Sequence, residues 1–172
     1  GTLSLRQETL KALCVDYTVS LSRHGFKRIC FVPSHGGNFA PLAQMLDCLR
    51  AAAEENCEVD AYTDLVGFVE FWKSAVSSEV PAFSDRVGGH ADIAESSEML
   101  CIRPELVQED RAEAGYVGEF DEALANRIFQ DGFRSVTPNG VLGDARGMSR
   151  EIGERCIEQA ADGIAAFLLG RD

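Results

Sequence analysis

The segment RICFVPSHGGN, residues 28–38, joins a short apolar run to a loop that contains two glycines. Its first five residues are rich in strand formers and end at Pro33, which is typical of a buried β-strand. Ligands of parallel α/β sheets bind beyond the carboxyl ends of the strands, and His35 follows this strand end. The segment therefore predicts an α/β protein in which His35 has a position suited to function.

A helix is predicted before this strand. Ser4 and Gln7 have capping-box spacing, and His24-Gly25 is a typical helix stop. Apolar residues recur between these points at helical intervals and are expected to form one buried stripe: Leu10, Leu13, Cys14, Tyr17 and Leu21.

The alternation of helix and strand continues downstream. Helical spacing from Pro41 to Ala53 is followed by a second short strand, Glu58 to Tyr62. Residues 63–88 are predicted as helix and loop. This order favours a mainly parallel sheet flanked by helices, in a single domain covering residues 1–172.

Three further elements are predicted in the second half of the chain. A helix is expected from Asp92 or Ile93 to Leu100, and a short strand near Val136. The segment from Ser149 to Leu169 predicts a final helix whose buried face carries Ile157, Ala160, Ala161, Ile164 and Leu168.

Composition excludes several classes of function. The net charge of -12, from 28 acidic and 16 basic residues, opposes binding to nucleic acid. No apolar run approaches the length of a membrane span, and residues 1–4 lack the features of a signal peptide, so a cytoplasmic location is expected. Six scattered cysteines without a C-x-x-C pair predict mostly small buried side chains rather than disulfides or a zinc knuckle.

Two histidines, both predicted to lie in glycine-flanked loops, are the candidate functional residues. His35 is compatible with a metal-binding imidazole or with an ordinary strand-to-helix turn, in which Gly36 and Gly37 bend the backbone and leave space beside the ring. His90 follows Gly88-Gly89 and precedes Glu95 by five residues. Imidazole with carboxylate suits zinc, manganese or iron. Glu95 is equally compatible with a first-turn helix carboxylate, and Asp92 is interpreted as an N-cap.

With both histidine segments in view, the chain resembles the creatininase family. The resemblance rests on five segments in one order: Gly1-Thr2-Leu3-Ser4-Leu5, Arg23-His24-Gly25-Phe26, Ser34-His35-Gly36-Gly37-Asn38, Gly89-His90-Ala91 through Ser97, and the Gly-x-x-Gly-Asp loop at 138–144. It implies a creatininase-like three-layer fold and a site of two divalent ions, zinc, manganese or iron, with a bridging water that attacks an amide, cyclic amide or formamide carbonyl.

The resemblance also implies residue roles. His35 and Glu95 correspond to metal ligands, and His90 to the acid/base that protonates the leaving nitrogen. Asn38, with Gly36 and Gly37, is expected to contact the small-molecule substrate.

This chain departs from the family pattern at several positions. Gly37 stands where some members have a glutamate ligand, Asp92-Ile93 where Gly-Glu is common, and Ser96-Ser97 where Thr-Ser is common. The first difference leaves Glu95 as the carboxylate ligand expected from this chain. The other two concern the wall of the pocket, so the resemblance does not identify the substrate.

The family's other ligands, a Glu-x-His-Gly run and a later Asp, precede the segment that matches residue 1. We therefore expect an N-terminal companion chain from the same precursor, with a truncated fragment or a separately encoded subunit as alternatives. Autoprocessing beside Thr2 and adventitious proteolysis both fit such a cleavage. A homo-oligomer is also expected. The alternative to a C–N hydrolase is a non-catalytic, ligand-binding or regulatory homologue.

Overall fold

The computed structural model describes residues 4–119 and 121–170. Their contacts divide them into two compact units. The first unit comprises the chain up to Leu65 together with Gly170, and the second comprises Val66–Leu169. A single domain over residues 1–172 stays a prediction.

The first unit is an α/β unit built around two parallel strands. Ile29 is opposite Val59, and Phe31 is opposite Ala61. Parallel pairing and the predicted order of helices and strands are both confirmed. In chain order, the elements are α1 (Gln7–Arg23), β1 (Arg28–Phe31), a 3-10 turn (Gly36–Asn38), α2 (Phe39–Ala52) and β2 (Glu58–Ala61).

Helix α1 begins and packs differently from the prediction. Arg6 is its N-cap and makes no side-chain cap bond, so the capping box at Ser4 is wrong. The helix ends before His24 as expected, and Gly25 has the positive φ of 86° that favours glycine. Its buried residues are Cys14, Thr18 and Ser22, whereas Leu13 and Tyr17 of the predicted stripe are 42% and 62% exposed.

Hydrogen bonds back to the helix allow these polar residues to be buried. The Thr18 hydroxyl donates to the Cys14 carbonyl at 2.8 Å, and the Ser22 hydroxyl to that of Val19 at 3.2 Å. On α2, the predicted helical spacing of apolar residues is confirmed, because Leu42, Met45 and Leu49 are buried. The core of the first unit consists of Cys14, Ile29, Leu42, Met45, Leu49, Val59 and Ala61.

Within residues 66–119 and 121–169, the second unit contains four helices and one antiparallel strand pair. β3 pairs with β4 through Val87 opposite Gly143 and His90 opposite Leu142. The elements are α3 (Leu65–Glu79, which begins at the unit boundary), β3 (Val87–His90), α4 (Ile93–Ile102), α5 (Glu122–Asp131), β4 (Leu142–Gly143) and α6 (Arg150–Leu169), with 3-10 turns at Pro81–Arg86, Pro104–Leu106, Glu109–Arg111 and Phe133–Ser135.

Two predictions for the second unit are corrected. No strand lies at Val136, which follows the 3-10 turn Phe133–Ser135, and the strand occurs instead at Leu142–Gly143. His90 ends a strand rather than lying in a loop. Gly88 permits this pairing, because a Cβ there would lie 2.5 Å from the Leu142 carbonyl carbon. An antiparallel pair therefore accompanies the expected parallel one.

Helix α6 packs on α4 through a face offset from the predicted one. Its buried residues are Ile152, Gly153, Cys156 and Ala160, whereas Ile157 is 38% exposed. The helices approach closely at Gly153, where an added Cβ would lie 2.5 Å from the Ser97 carbonyl carbon and 2.9 Å from the Cys101 sulfur. Around this crossing lies the core of the second unit: Trp72, Ala75, Val76, Val87, Ile93, Ala94, Ile152 and Cys156.

The six cysteines are less buried than the sequence predicts. All six cysteines are free thiols, as expected. Only Cys14 and Cys156 are fully buried, so the prediction that most of the cysteines are buried is wrong. Within the described residues, no helix combines the length and the apolar character that crossing a membrane requires.

We expect Gly153→Ala to destabilise the protein by about 2 kcal/mol, the scale of an overpacked contact. Alanine normally stabilises an exposed helix position relative to glycine by about 1 kcal/mol, so the sign of the change tests the crossing. Urea unfolding measures it. Glu158→Ala, at an exposed position of the same helix, is the control and should leave the unfolding free energy nearly unchanged. Stabilisation by Gly153→Ala would contradict the close approach.

Candidate active site

His35 stands at the N-terminal end of the 3-10 turn that follows β1. Its backbone is extended, with φ -129° and ψ 128°, and its side chain is exposed. A Cβ on Gly37 would lie 3.0 Å from His35 Nε2 and 3.3 Å from its Cδ2. Gly37 thus leaves the predicted space beside the imidazole.

The backbone of this loop is held differently from the expected sharp glycine bend. Neither Gly36 nor Gly37 has a positive φ, because both lie in the 3-10 turn. The Asn38 N–H donates to the His35 carbonyl at 2.9 Å, and the Asn38 side chain does not cap α2. The role of Asn38, Gly36 and Gly37 in substrate binding stays a prediction.

In the second unit, the structure brings His90 and Glu95 together. His90 ends β3 and Glu95 lies in the first turn of α4. His90 Nδ1 is 3.7 Å from Glu95 Oε2, and the two side chains are 43% and 32% exposed. This distance is too long for a hydrogen bond, but the two side chains form an ion pair when the imidazole is protonated. His35 belongs to the other unit, so the proximity shown is that of His90 and Glu95.

A strained residue separates strand from helix beside this pair. Ala91 has a φ of 51°, in the left-handed region that is unfavourable for a residue with a Cβ. Its N–H donates to Glu95 Oε2 at 2.6 Å, and its carbonyl accepts from the Ser96 hydroxyl at 3.2 Å. Strain of this kind costs about 1–3 kcal/mol and persists where surrounding contacts impose it. Here the first turn of α4 imposes it and orients the Glu95 carboxylate.

Asp92 fixes the same junction from inside the protein and confirms its interpretation as an N-cap. Its side chain is buried and accepts four backbone N–H bonds. Oδ2 accepts from Gly88 and Gly89, each at 2.7 Å, and Oδ1 from Ala94 at 2.9 Å and Glu95 at 3.1 Å. Burial raises the pKa of the Asp92 carboxyl, and the four bonds oppose that rise. This carboxylate is committed to holding the backbone.

Glu98 is a further carboxylate that sequence reasoning missed. Its Oε1 accepts from Trp72 Nε1 at 2.8 Å. Burial raises the pKa of Glu98 to about 7, with smaller increases from Glu95 and Asp92, although the Trp72 bond lowers it. The available signal was an acidic residue one helical turn beyond Glu95 on a largely apolar helix. The hydrogen bond from Trp72 to Glu98 thus connects α3 to α4. The Glu98 carboxyl changes charge near neutral pH.

Phe133, also missed, contacts the candidate acid/base. Its ring centroid is 4.8 Å from that of His90, with the planes tilted by 46°. No motif marks this residue, because it lies more than forty positions along the chain from His90 in a segment without clear periodicity. Only folding reveals the contact.

The Gly-x-x-Gly-Asp loop is held by ion pairs. Asp144 is buried, and its Oδ2 lies 2.7 Å from Arg146 Nη2 and 3.6 Å from Arg86 Nη1. The hydrogen bond from Arg146 is the main cause that lowers the pKa of Asp144. Gly143, with φ 107°, gives this loop its close approach: a Cβ there would lie 2.9 Å from that of Asp92. The loop therefore supports the β3–α4 junction.

These side chains fit divalent metal chemistry as donors. A neutral imidazole and a carboxylate oriented by a backbone N–H are ligands for zinc, manganese or iron. Across residues 4–119 and 121–170, no three His, Cys, Asp or Glu side chains converge as a complete set of ligands. The assignment of His35 in one unit and Glu95 in the other as metal ligands stays a prediction.

Comparison with known proteins decides the family. The family model for creatininase, described as creatinine amidohydrolase, matches residues 1–168. The chain belongs to the creatininase family. A creatininase solved with manganese matches with a TM-score of 0.73 and one of Zn-Zn type with 0.71, each 27% identical over 98% of this chain and 65% of theirs. The predicted α/β creatininase fold is confirmed.

Family members with curated functions are hydrolases. The mycofactocin precursor peptide peptidase of Mycobacterium ulcerans (strain Agy99) is 30% identical over 162 residues, 94% of this chain and 56% of its own length. The creatinine amidohydrolase of Pseudomonas putida is 29% identical over 172 residues, 96% of this chain and 64% of its own length. This chain therefore spans less than two thirds of each.

We expect Asp92→Asn to lower the unfolding free energy by about 2–4 kcal/mol, because an amide retains one acceptor oxygen and turns its NH₂ group toward two backbone N–H donors. Urea unfolding measures the loss. Asp121→Asn is the matched control: Asp121 caps α5 through a single bond from Leu124 N at 2.7 Å, and Asn caps helices equally well. Equal effects in the two variants would contradict the role of Asp92.

We expect the fluorescence of Trp72, the protein's one tryptophan, to titrate with an apparent pKa of about 7, because charge appears on Glu98 beside the indole N–H. Between the ordinary pKa of 4.5 and about 7, folded Glu98 keeps a proton that the unfolded chain has lost. This group's contribution therefore makes the unfolding free energy fall as pH rises through that interval.

Glu98→Gln keeps an acceptor for Trp72 and removes the charge, so both the fluorescence step and this contribution to the pH dependence should vanish. Glu70→Gln, on the same helix as Trp72 but paired with Lys73, serves as the control. A step that persists in Glu98→Gln would assign the titration to another group.

Proposed function

We propose that this chain carries part of the active site of a metal-dependent amidohydrolase that cleaves a C–N bond of an amide, cyclic amide or formamide. The observation that supports it most is the pairing of His90 and Glu95 at 3.7 Å across the strained Ala91 turn. Membership in a family that includes a peptidase and an amidohydrolase agrees with hydrolysis.

In this proposal, His35 and Glu95 are metal ligands. Ions held by these residues would supply Lewis-acid chemistry, polarising the carbonyl and activating the attacking water. Glu95 presents a carboxylate that is already oriented, because Oε2 is fixed by the Ala91 N–H. Gly37 keeps space clear beside the imidazole of His35, so that ring remains accessible.

His90 acts as the acid/base. Its Nδ1 faces Glu95 Oε2, so the opposite nitrogen, Nε2, is the one that delivers a proton to the leaving nitrogen of the substrate. Asn38, with Gly36 and Gly37, binds substrate, and an N-terminal companion chain and a homo-oligomer remain part of the proposal.

We expect chelation to abolish hydrolysis of amide substrates by the intact preparation, and added Zn²⁺ or Mn²⁺ to restore it. His35→Ala and Glu95→Gln should each reduce the metal content measured by atomic emission, whereas His90→Gln should keep the metal and lower kcat by on the order of 100-fold or more. His24→Gln is the control histidine, since its Nδ1 lies 2.6 Å from the Ser20 carbonyl at the end of α1.

Two results would contradict the assignment. Less than one transition metal per site, with undiminished activity after chelation, would contradict metal-dependent hydrolysis. Unchanged metal content in Glu95→Gln, with loss in His35→Ala, would show that Glu95 is not a ligand.

A further inference from the structure

The contact between His90 and Phe133 joins a candidate catalytic side chain to a residue distant in sequence. The ring centroids are 4.8 Å apart at a tilt of 46°. This separation is within the range of favourable ring contacts. Phe133 therefore lies against the imidazole of His90, whose Nδ1 faces Glu95.

The backbone around Phe133 is tightly constrained. Gly132 ends α5 with a φ of 80°, and its N–H donates to Ile128 O at 2.9 Å. The Phe133 carbonyl accepts from Val136 N at 3.0 Å and from Thr137 N at 2.9 Å. The direction in which the Phe133 ring leaves the chain is thus set by main-chain bonds that do not depend on the ring.

The same strand pair anchors both partners. Leu142 of β4 is opposite His90 in the sheet, and its side chain packs with Leu124 and Ile128 of α5. Helix α5 leads directly through Gly132 to Phe133. The backbone segments that carry the imidazole and the phenyl ring are therefore connected through β4 and α5, which favours a constant distance between the two rings.

Core packing alone gives a poor account of Phe133. The residue is 37% exposed, whereas its neighbours Leu124 and Ile128 are buried. A phenyl ring at this exposure buries less apolar surface than one at a core position. Its most specific contact is with His90.

We propose that Phe133 is a positioning residue that fixes the plane of the His90 imidazole for proton transfer. Phe133 restricts the ring on one side, and Glu95 faces its Nδ1 edge. Together they limit rotation of the ring and keep Nε2 in one direction. The role in turnover rests on the proposed function, whereas the restraint on the ring does not.

The test is an NMR experiment on the full chain, in which the ring signals of its three histidines, His24, His35 and His90, are to be assigned by substitution. In Phe133→Leu, the His90 ring protons should lose the ring-current shift of the phenyl group while those of His24 and His35 stay unchanged. Phe133→Tyr keeps the ring and should restore the original signals. Phe83→Leu removes a ring that contacts Arg86 instead, and should leave His90 unchanged.

The kinetic arm separates positioning from simple stabilisation. Phe133→Leu should lower kcat by about 10- to 100-fold with little change in KM, and Phe133→Tyr should recover most of it. Unmoved His90 signals in Phe133→Leu would overturn the proposal whatever the activity. Moved signals with unchanged kcat, in a protein that His90→Gln inactivates, would overturn the positioning role. Full activity of His90→Gln would instead overturn the proposed function and leave the spectroscopic result standing.

Discussion

The Asp92 carboxylate, with its four backbone N–H bonds, is the interaction on which the candidate site depends. It joins the end of β3 to the beginning of α4, because two of its donors come from Gly88 and Gly89 and two from the first turn of the helix. A buried carboxylate is tolerated only when such bonds replace water. With strand and helix joined in this way, the direction of His90 at the strand end and that of Glu95 in the helix are no longer independent.

The packing of α4 explains how this junction is kept in place. Gly153 of α6 lets that helix approach the α4 backbone, and the Ser97 hydroxyl accepts from the Ser149 N–H at 3.1 Å at the start of α6. Trp72 of α3 donates to Glu98 on another part of the helix. Two neighbouring helices thus hold α4, while the Glu95 side chain in its first turn is 32% exposed. A site for small ligands requires a rigid backbone that carries side chains accessible to the ligand.

The sequence predicted those features that are encoded locally. Strand β1, the helix stop at His24-Gly25 and the N-cap at Asp92 each depend on a few adjacent residues, and all three are present. Prediction failed where packing between elements decides which helix face is buried: α1 buries Thr18 while Leu13 is exposed, and the buried face of α6 follows the close approach at Gly153. In the site, His90 and Glu95 were identified by motif, but Glu98 and Phe133 depend on contacts across elements.

The left-handed backbone of Ala91 limits which sequences can carry this turn. Glycine adopts a φ of 51° without cost and asparagine at low cost, whereas valine, isoleucine and threonine cannot adopt it without severe strain. The position between His90 and Asp92 therefore accepts only a narrow set of residues while the junction is retained. In family members with a β-branched residue at this position, we expect the turn to be lost, and with it the fixed arrangement of the histidine and carboxylate that correspond to His90 and Glu95.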